Sequence, residues 1–97
     1  MRILSKPALR EFWEKHPTAM APLQEWWKSV KGQTWNNSAD VKNTYHSADI
    51  YRDCFIFNIG GNNFRLIAKI DFKTQRLFVR SIMTHKEYDK GKWKDEC

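Results

Sequence analysis

Three β-rich stretches fill the chain between Cys54 and Met83, and two turn signals separate them. Cys54-Phe55-Ile56-Phe57-Asn58-Ile59 comes first. Gly60-Gly61-Asn62 reads as a hairpin turn because glycine and asparagine accept the positive φ that tight hairpins need. Phe64 to Ile70 follows, then a turn near Lys73-Thr74, then Leu77 to Met83. Three consecutive antiparallel strands are predicted. A sheet this small has one apolar face to bury, so the rest of the chain must supply a cover.

The cover lies at the N-terminal end. Met1 to Leu4 reads as a short strand. Ser5 is a candidate helix cap, and Pro7 suits a first turn, where its missing N–H is not needed. Leu9, Phe12 and Trp13 recur at helical spacing, and Pro17 ends that helix. A second helix is expected to begin between Thr18 and Ala21, with Pro22 in its first turn. Its apolar stripe reads as Met20, Leu23, Trp27 and Val30, with Trp26 beside it, and Gly32 reads as the C′ residue. Residues 33–53 are polar and read mostly as loop, with Ser38 capping a short helical turn that reaches Tyr45. The expected fold is therefore α+β, with two N-terminal helices on one face of a small antiparallel sheet. Ninety-seven residues are expected to form a single domain, residues 1–97.

Charge is uneven over this layout. The net charge is +6. Residues 1–53 carry eight basic and six acidic side chains, and residues 54–97 carry nine and five. The excess falls on the strand half, which suits a polyanion or an acidic partner. In the middle strand, Phe64, Leu66, Ala68 and Ile70 alternate with Arg65, Ile67, Lys69 and Asp71. If the first set packs on the helices, Arg65 and Lys69 share the opposite face, where two cations suit phosphates. A solvated strand face is the plain alternative. Arg80 lies on the next strand, which is apolar on both sides, so its facing stays open.

His85 follows the last strand, where it could exchange protons near neutral pH or simply bond a backbone carbonyl. Tyr88 and Trp93 could stack on bases, although Trp93 reads better as an anchor for the chain end. His16, at a helix end before a proline, reads as structural.

Other chemistries find no support in the pattern. Gly60-Gly61 lies between two strands and lacks the phosphate-loop sequence. Neither a Ser-His-Asp nor a paired-carboxylate motif stands out. No CxxC or HxxxH suggests a metal site. Cys54 and Cys97 are too few for a disulfide framework. A bridge to the last residue would constrain little, so both thiols are expected to be reduced, as in a cytosolic protein. The N-terminus has no apolar h-region, and no run is long enough to span a membrane. A basic strand face beside a His and a Tyr fits RNA binding or metal-free RNA cleavage.

Three segments, taken in order, resemble a known family. They are Met1–Pro17, the run from Phe57 through Gly60-Gly61-Asn62-Asn63-Phe64-Arg65 to Ile67, and Thr84-His85-Lys86-Glu87-Tyr88-Asp89-Lys90-Gly91. Together they look like the HigB-type toxins of the RelE-like superfamily of bacterial toxin–antitoxin systems. The resemblance implies a small antiparallel sheet with two helices on one face. It implies a cytoplasmic mRNA endonuclease that needs no metal or other cofactor and acts on translated messages at the ribosome. The ribose 2′-OH would attack the adjacent phosphate. It also implies a HigA-type helix-turn-helix antitoxin, with operator DNA reached only through the toxin–antitoxin complex and no membrane involved.

On this resemblance Arg65 matches the strand arginine set against the scissile phosphate. His85 matches the C-terminal acid–base histidine, and Tyr88 the residue that orients or stacks on a base. Lys69, Arg80 and Lys90 are candidate phosphate contacts. The alternatives are a non-catalytic basic RNA-binding module and a protein-docking module.

Overall fold

A computed structural model describes Met1–Cys97. In chain order it contains β1 (Arg2–Leu4), α1 (Lys6–Lys15), a 3₁₀ turn (Pro17–Ala19), α2 (Met20–Lys31), α3 (Ser38–Thr44), β2 (Asp49–Tyr51), β3 (Cys54–Ile59), β4 (Phe64–Asp71), β5 (Arg76–Thr84), α4 (His85–Asp89) and a 3₁₀ turn (Lys92–Glu96). The sheet order is β1-β5-β4-β3-β2. β2 through β5 are antiparallel, whereas β1 joins β5 in parallel. The fold class is α+β as expected, with this one parallel pair added.

α1 and α2 cover one face of the sheet. Leu9, Ala19, Leu23, Trp26 and Val30 pack against Phe55, Phe57, Ile59, Phe64, Leu66, Ala68, Leu77 and Val79. This buried apolar set supplies the main driving force for folding. The alternation read for β4 holds: Phe64, Leu66 and Ala68 join this core, while Ile67 packs with Cys54, Ile56, Met83 and Trp93 on the other face.

Several local expectations are corrected. Ser5 makes no capping hydrogen bond; it sits at φ 77°, outside the extended range in which a cap side chain reaches back. Pro7 does occupy the first turn. On α2 the buried stripe is Leu23, Trp26 and Val30, while Met20 is 45% exposed and Trp27 lies at the stripe's edge. The 3₁₀ turn starts the helical path earlier and rotates the stripe, so Ala19 takes the place expected for Met20. Gly32 is the C-cap itself, in the right-handed region, with φ −82°. Residues 33–53 are loop over about half their length, and the short helix expected there is present with Asn37, not Ser38, as its cap. Asn37 caps α3, its side chain accepting a hydrogen bond from Asp40 N at 3.0 Å, and Asp49–Tyr51 form the edge strand β2.

The expectation of two reduced thiols is also overturned. Cys54 and Cys97 form a disulfide, with their Cα atoms 5.8 Å apart. The 3₁₀ turn at Lys92–Glu96 folds the chain end back under β3 and brings Cys97 to Cys54. The bridge closes a separation of 43 residues. A loop of that length loses about 4 kcal/mol of denatured-state entropy, so the position of Cys97 in sequence does not make the constraint small.

Candidate active site

β4 carries Arg65 to the face opposite the helices. The β3–β4 turn supports it from below, with Gly60 and Gly61 at φ 61° and 67°. β5 ends directly above this turn. Thr84 then closes a capping box that starts α4. Its hydroxyl accepts from Glu87 N at 3.2 Å, and its backbone N–H donates to Glu87 Oε1 at 3.1 Å. The hydrogen bond from the Thr84 backbone holds the Glu87 carboxyl below its usual range. His85 N donates to Asn63 O at 3.0 Å. These contacts turn the chain sharply after β5 and bring His85 and Tyr88 back over Arg65.

Arg65 is 7% exposed and is the one charged residue among the buried set. Its Nη1 donates to Phe64 O at 3.1 Å and its Nη2 to Asn62 Oδ1 at 3.3 Å. Nη2 also lies 3.2 Å from His85 Nδ1. All three acceptors are neutral, and the ion pairs of the molecule involve other residues. A guanidinium has five N–H donors, so part of the fork is left over. Burying a charge without a counter-charge is costly. The arrangement therefore favours an anion at Arg65.

The same contact assigns the His85 tautomer. Arginine only donates, so Nδ1 must offer its lone pair to Nη2. The proton of the neutral ring then sits on Nε2, which faces Asp89 Oδ2 at 3.3 Å. Asp89 thus fixes the ring and can balance an imidazolium if Nδ1 takes up a proton. The single lone pair of His85 and the Arg65 fork converge on one spot.

Tyr88 completes the group. The Arg65 Cζ lies 5.3 Å from its ring centroid. Trp93 stacks on the ring, with centroids 5.0 Å apart and planes 8° apart, and Trp93 Nε1 donates to Tyr88 O at 3.0 Å. Burial pushes the Tyr88 phenol above its usual value of 10.0. Asp49 adds to the rise, and Arg65 opposes it. Tyr88 is thus held between the Trp93 ring and the Arg65 guanidinium.

The remaining expected residues lie farther out. Lys69 is four residues along β4, roughly 13 Å at the usual strand rise, and pairs with Asp53 at 3.2 Å. Arg80 is exposed, and its facing is set by a bulge. Ile67 pairs with Ser81 and Ala68 with Val79, so Arg80 is the extra residue of β5. In such a bulge two residues oppose one, so the strand's alternation is broken at Arg80, which lies exposed there. Lys90 is exposed at the end of α4 and shares a shallow pocket with Ser81, Met83, Lys92 and Trp93.

The sheet's second face is less open than expected, because Trp93 and the chain end cover its centre. Sequence reasoning missed Asn62, which orients Arg65, and Asp89, which orients His85. Asp89 could have been found: it stands four residues after His85, one helical turn on. His16 stacks on Phe12 at 4.5 Å, in keeping with a structural role.

Comparison with known proteins gives a consistent picture. Residues 19–91 match the family described as HigB_toxin, RelE-like toxic component of a toxin-antitoxin system. The chain is similar to the mRNA interferase toxin HigB of Escherichia coli K12, 29% identical over 92 residues, which is 92% of this chain and 88% of that protein. It is also similar to the mRNA interferase HigB of Escherichia coli O6:H1, 30% identical over 93 residues, covering 93% and 90%. The match spans the β4 arginine, the turn beneath it and α4.

Proposed function

This chain belongs to the HigB family of RelE-like toxic components of toxin–antitoxin systems, and on that premise we propose that residues 1–97 act as one metal-independent mRNA interferase domain. The observation that carries the reading is the buried, uncompensated Arg65 guanidinium beside the lone pair of His85 Nδ1. A phosphodiester seated on the Arg65 fork places its ribose 2′-OH within reach of that nitrogen.

The reaction then proceeds in line. The bound phosphate draws Arg65 Nη2 away from His85 Nδ1. The freed lone pair takes the 2′-OH proton, and the 2′-oxygen bonds to phosphorus. Arg65 stabilises the charge that builds on the equatorial oxygens, where a preorganised cation acts most strongly. The 5′-oxygen leaves and takes the proton from the imidazolium. The products are a 2′,3′-cyclic phosphate and a 5′-OH. Asp89 balances the imidazolium while it exists. Tyr88 keeps its phenol proton at neutral pH and orients the guanidinium and a neighbouring base. Arg80 and Lys90 contact flanking phosphates, and Lys69 does so at the far end of β4.

The substrate is mRNA engaged with a ribosome, because a site this shallow cannot surround RNA alone. The setting is the bacterial cytoplasm. A HigA-type antitoxin neutralises the toxin, and operator DNA is reached only through that complex.

Induced expression in bacteria without the antitoxin tests this. Growth arrest with discrete new 5′ ends on translated messages, both lost in Arg65→Ala and His85→Ala, is the expected result. Folded protein that causes neither arrest nor cleavage would overturn the reading and favour a non-catalytic RNA-binding or docking module.

A further inference from the structure

The C-terminal segment is attached to the molecule in an unusual way. From Gly91 onward its backbone hydrogen bonds are all local: Gly91 N to Tyr88 O, Lys94 N to Gly91 O, and Cys97 N to Lys94 O. None reaches the sheet. Two ties remain. One is the Trp93 ring, 7% exposed and packed with Cys54, Ile56, Ile67 and Met83. The other is the Cys54–Cys97 disulfide, four residues farther on. Cys54 is fully buried in β3, so the bridge fastens the segment to the rigid centre of the sheet.

Trp93 in turn supports the site. It stacks on the Tyr88 ring, donates to the Tyr88 carbonyl through Nε1, and meets Tyr51 edge-on at 5.4 Å. Tyr88 belongs to a five-residue helix that has no buried residue of its own. Such a helix does not hold its place by itself. Trp93 is the buried anchor of its second turn, and the bridge fastens the chain just beyond Trp93.

We propose that Trp93 is a positioning residue for Tyr88, and that the Cys54–Cys97 disulfide is the tether that keeps it in place. This rests on the reading of Arg65, His85 and Tyr88 as the RNA-cleaving group. Cleavage then depends on the redox state of the bridge. A dithiol reductant supplies the two electrons. Its thiolate attacks Cys97 Sγ and releases the Cys54 thiolate. Its second thiol resolves the mixed disulfide, leaving two cysteine thiols and an oxidised reductant. Cys97 is half-buried and so open to that attack.

The test uses the full chain, labelled with ¹³C-tyrosine, with Tyr88 assigned by comparison with Tyr88→Phe. Ring resonances and cleavage of mRNA in translating ribosome complexes are measured with and without dithiothreitol. In the oxidised protein the Tyr88 ring protons should be shifted upfield by the Trp93 ring current. Reduction should move them toward free-tyrosine positions and slow cleavage by up to about 100-fold, the scale on which a misplacement of about 1 Å acts. Cys97→Ser should match the reduced protein and no longer respond to dithiothreitol. Trp93→Ala should lose the shift and the activity, and Trp93→Phe should restore most of both. Tyr88 resonances that stay in place on reduction would overturn the proposal, as would cleavage at an unchanged rate after reduction. If the oxidised wild type cleaves nothing, the functional reading fails, and the ring resonances alone still decide whether the bridge holds Trp93 on Tyr88.

Discussion

The two faces of the sheet are built on different principles. The helix-side face is a continuous apolar layer in which Leu9, Leu23, Val30, Leu66 and Leu77 are almost wholly hidden from water. The opposite face has a small core of Cys54, Ile56, Ile67, Met83 and Trp93, with a buried cation at its rim. The first face makes the fold. The second holds a polar group in a costly position, stabilised by neutral acceptors and a cross-linked chain end. A sheet stiffened on one side can carry on the other an arrangement that would not persist alone.

β4 sharpens this comparison, because Arg65 and Leu66 are chain neighbours that point to opposite faces. Arg65→Ala should lower cleavage by about 10²–10³, the loss typical of removing a preorganised charge-stabilising donor. Its melting temperature should stay at or above that of the wild type, since a costly buried charge is removed. Arg65→Lys should also be impaired, because lysine keeps the charge but loses the planar fork. Leu66→Ala should do the reverse. It should cost about 2–5 kcal/mol of stability through the cavity it leaves, with cleavage per folded molecule near that of the wild type.

Smaller effects are expected around α4. Asp89→Asn should lower cleavage more than it lowers stability, because it removes the carboxylate that holds the His85 ring through Nε2. Thr84→Val should cost about 1 kcal/mol, the usual worth of a helix cap, as read from urea unfolding. The weakest effect concerns Glu87. Its folded carboxyl sits below the usual 4.5, so its contribution is present above that value. The contribution is lost as pH falls through the lower folded value. Acid should therefore loosen α4 before the main core unfolds, and Glu87→Gln should flatten that early change in a near-neutral to acidic titration of α4 amide resonances.

Much of the fold was legible because periodicity reports burial. The alternation Phe64-Arg65-Leu66-Ile67-Ala68 assigned both faces of β4, and the glycines placed its turn. Trp26 was placed beside its stripe rather than in it because the 3₁₀ turn before α2 rotates the helix, and no local residue announces that rotation. β2 is three residues of edge strand, too short for its alternation to stand out. The Thr84-x-x-Glu87 box and the His85–Asp89 spacing are readable local signals of a short helix after β5. The Cys54–Cys97 bridge was not readable, since it depends on the chain end folding back under β3. Arg65, His85 and Tyr88 come together as the resemblance implied. The Arg80 bulge and the Asn62 support depend on register, which sequence alone does not fix.

The most direct measurement is single-turnover cleavage of mRNA in purified translating ribosome complexes. Wild type, Arg65→Ala and Leu66→Ala would be compared at equal concentrations of folded protein, with the new ends identified chemically. The account predicts 2′,3′-cyclic phosphate and 5′-OH ends for wild type and Leu66→Ala at similar rates, and a rate at least about 100-fold lower for Arg65→Ala. Wild-type cleavage by folded Arg65→Ala would contradict it, because the chemistry would then not depend on the buried cation of the second face.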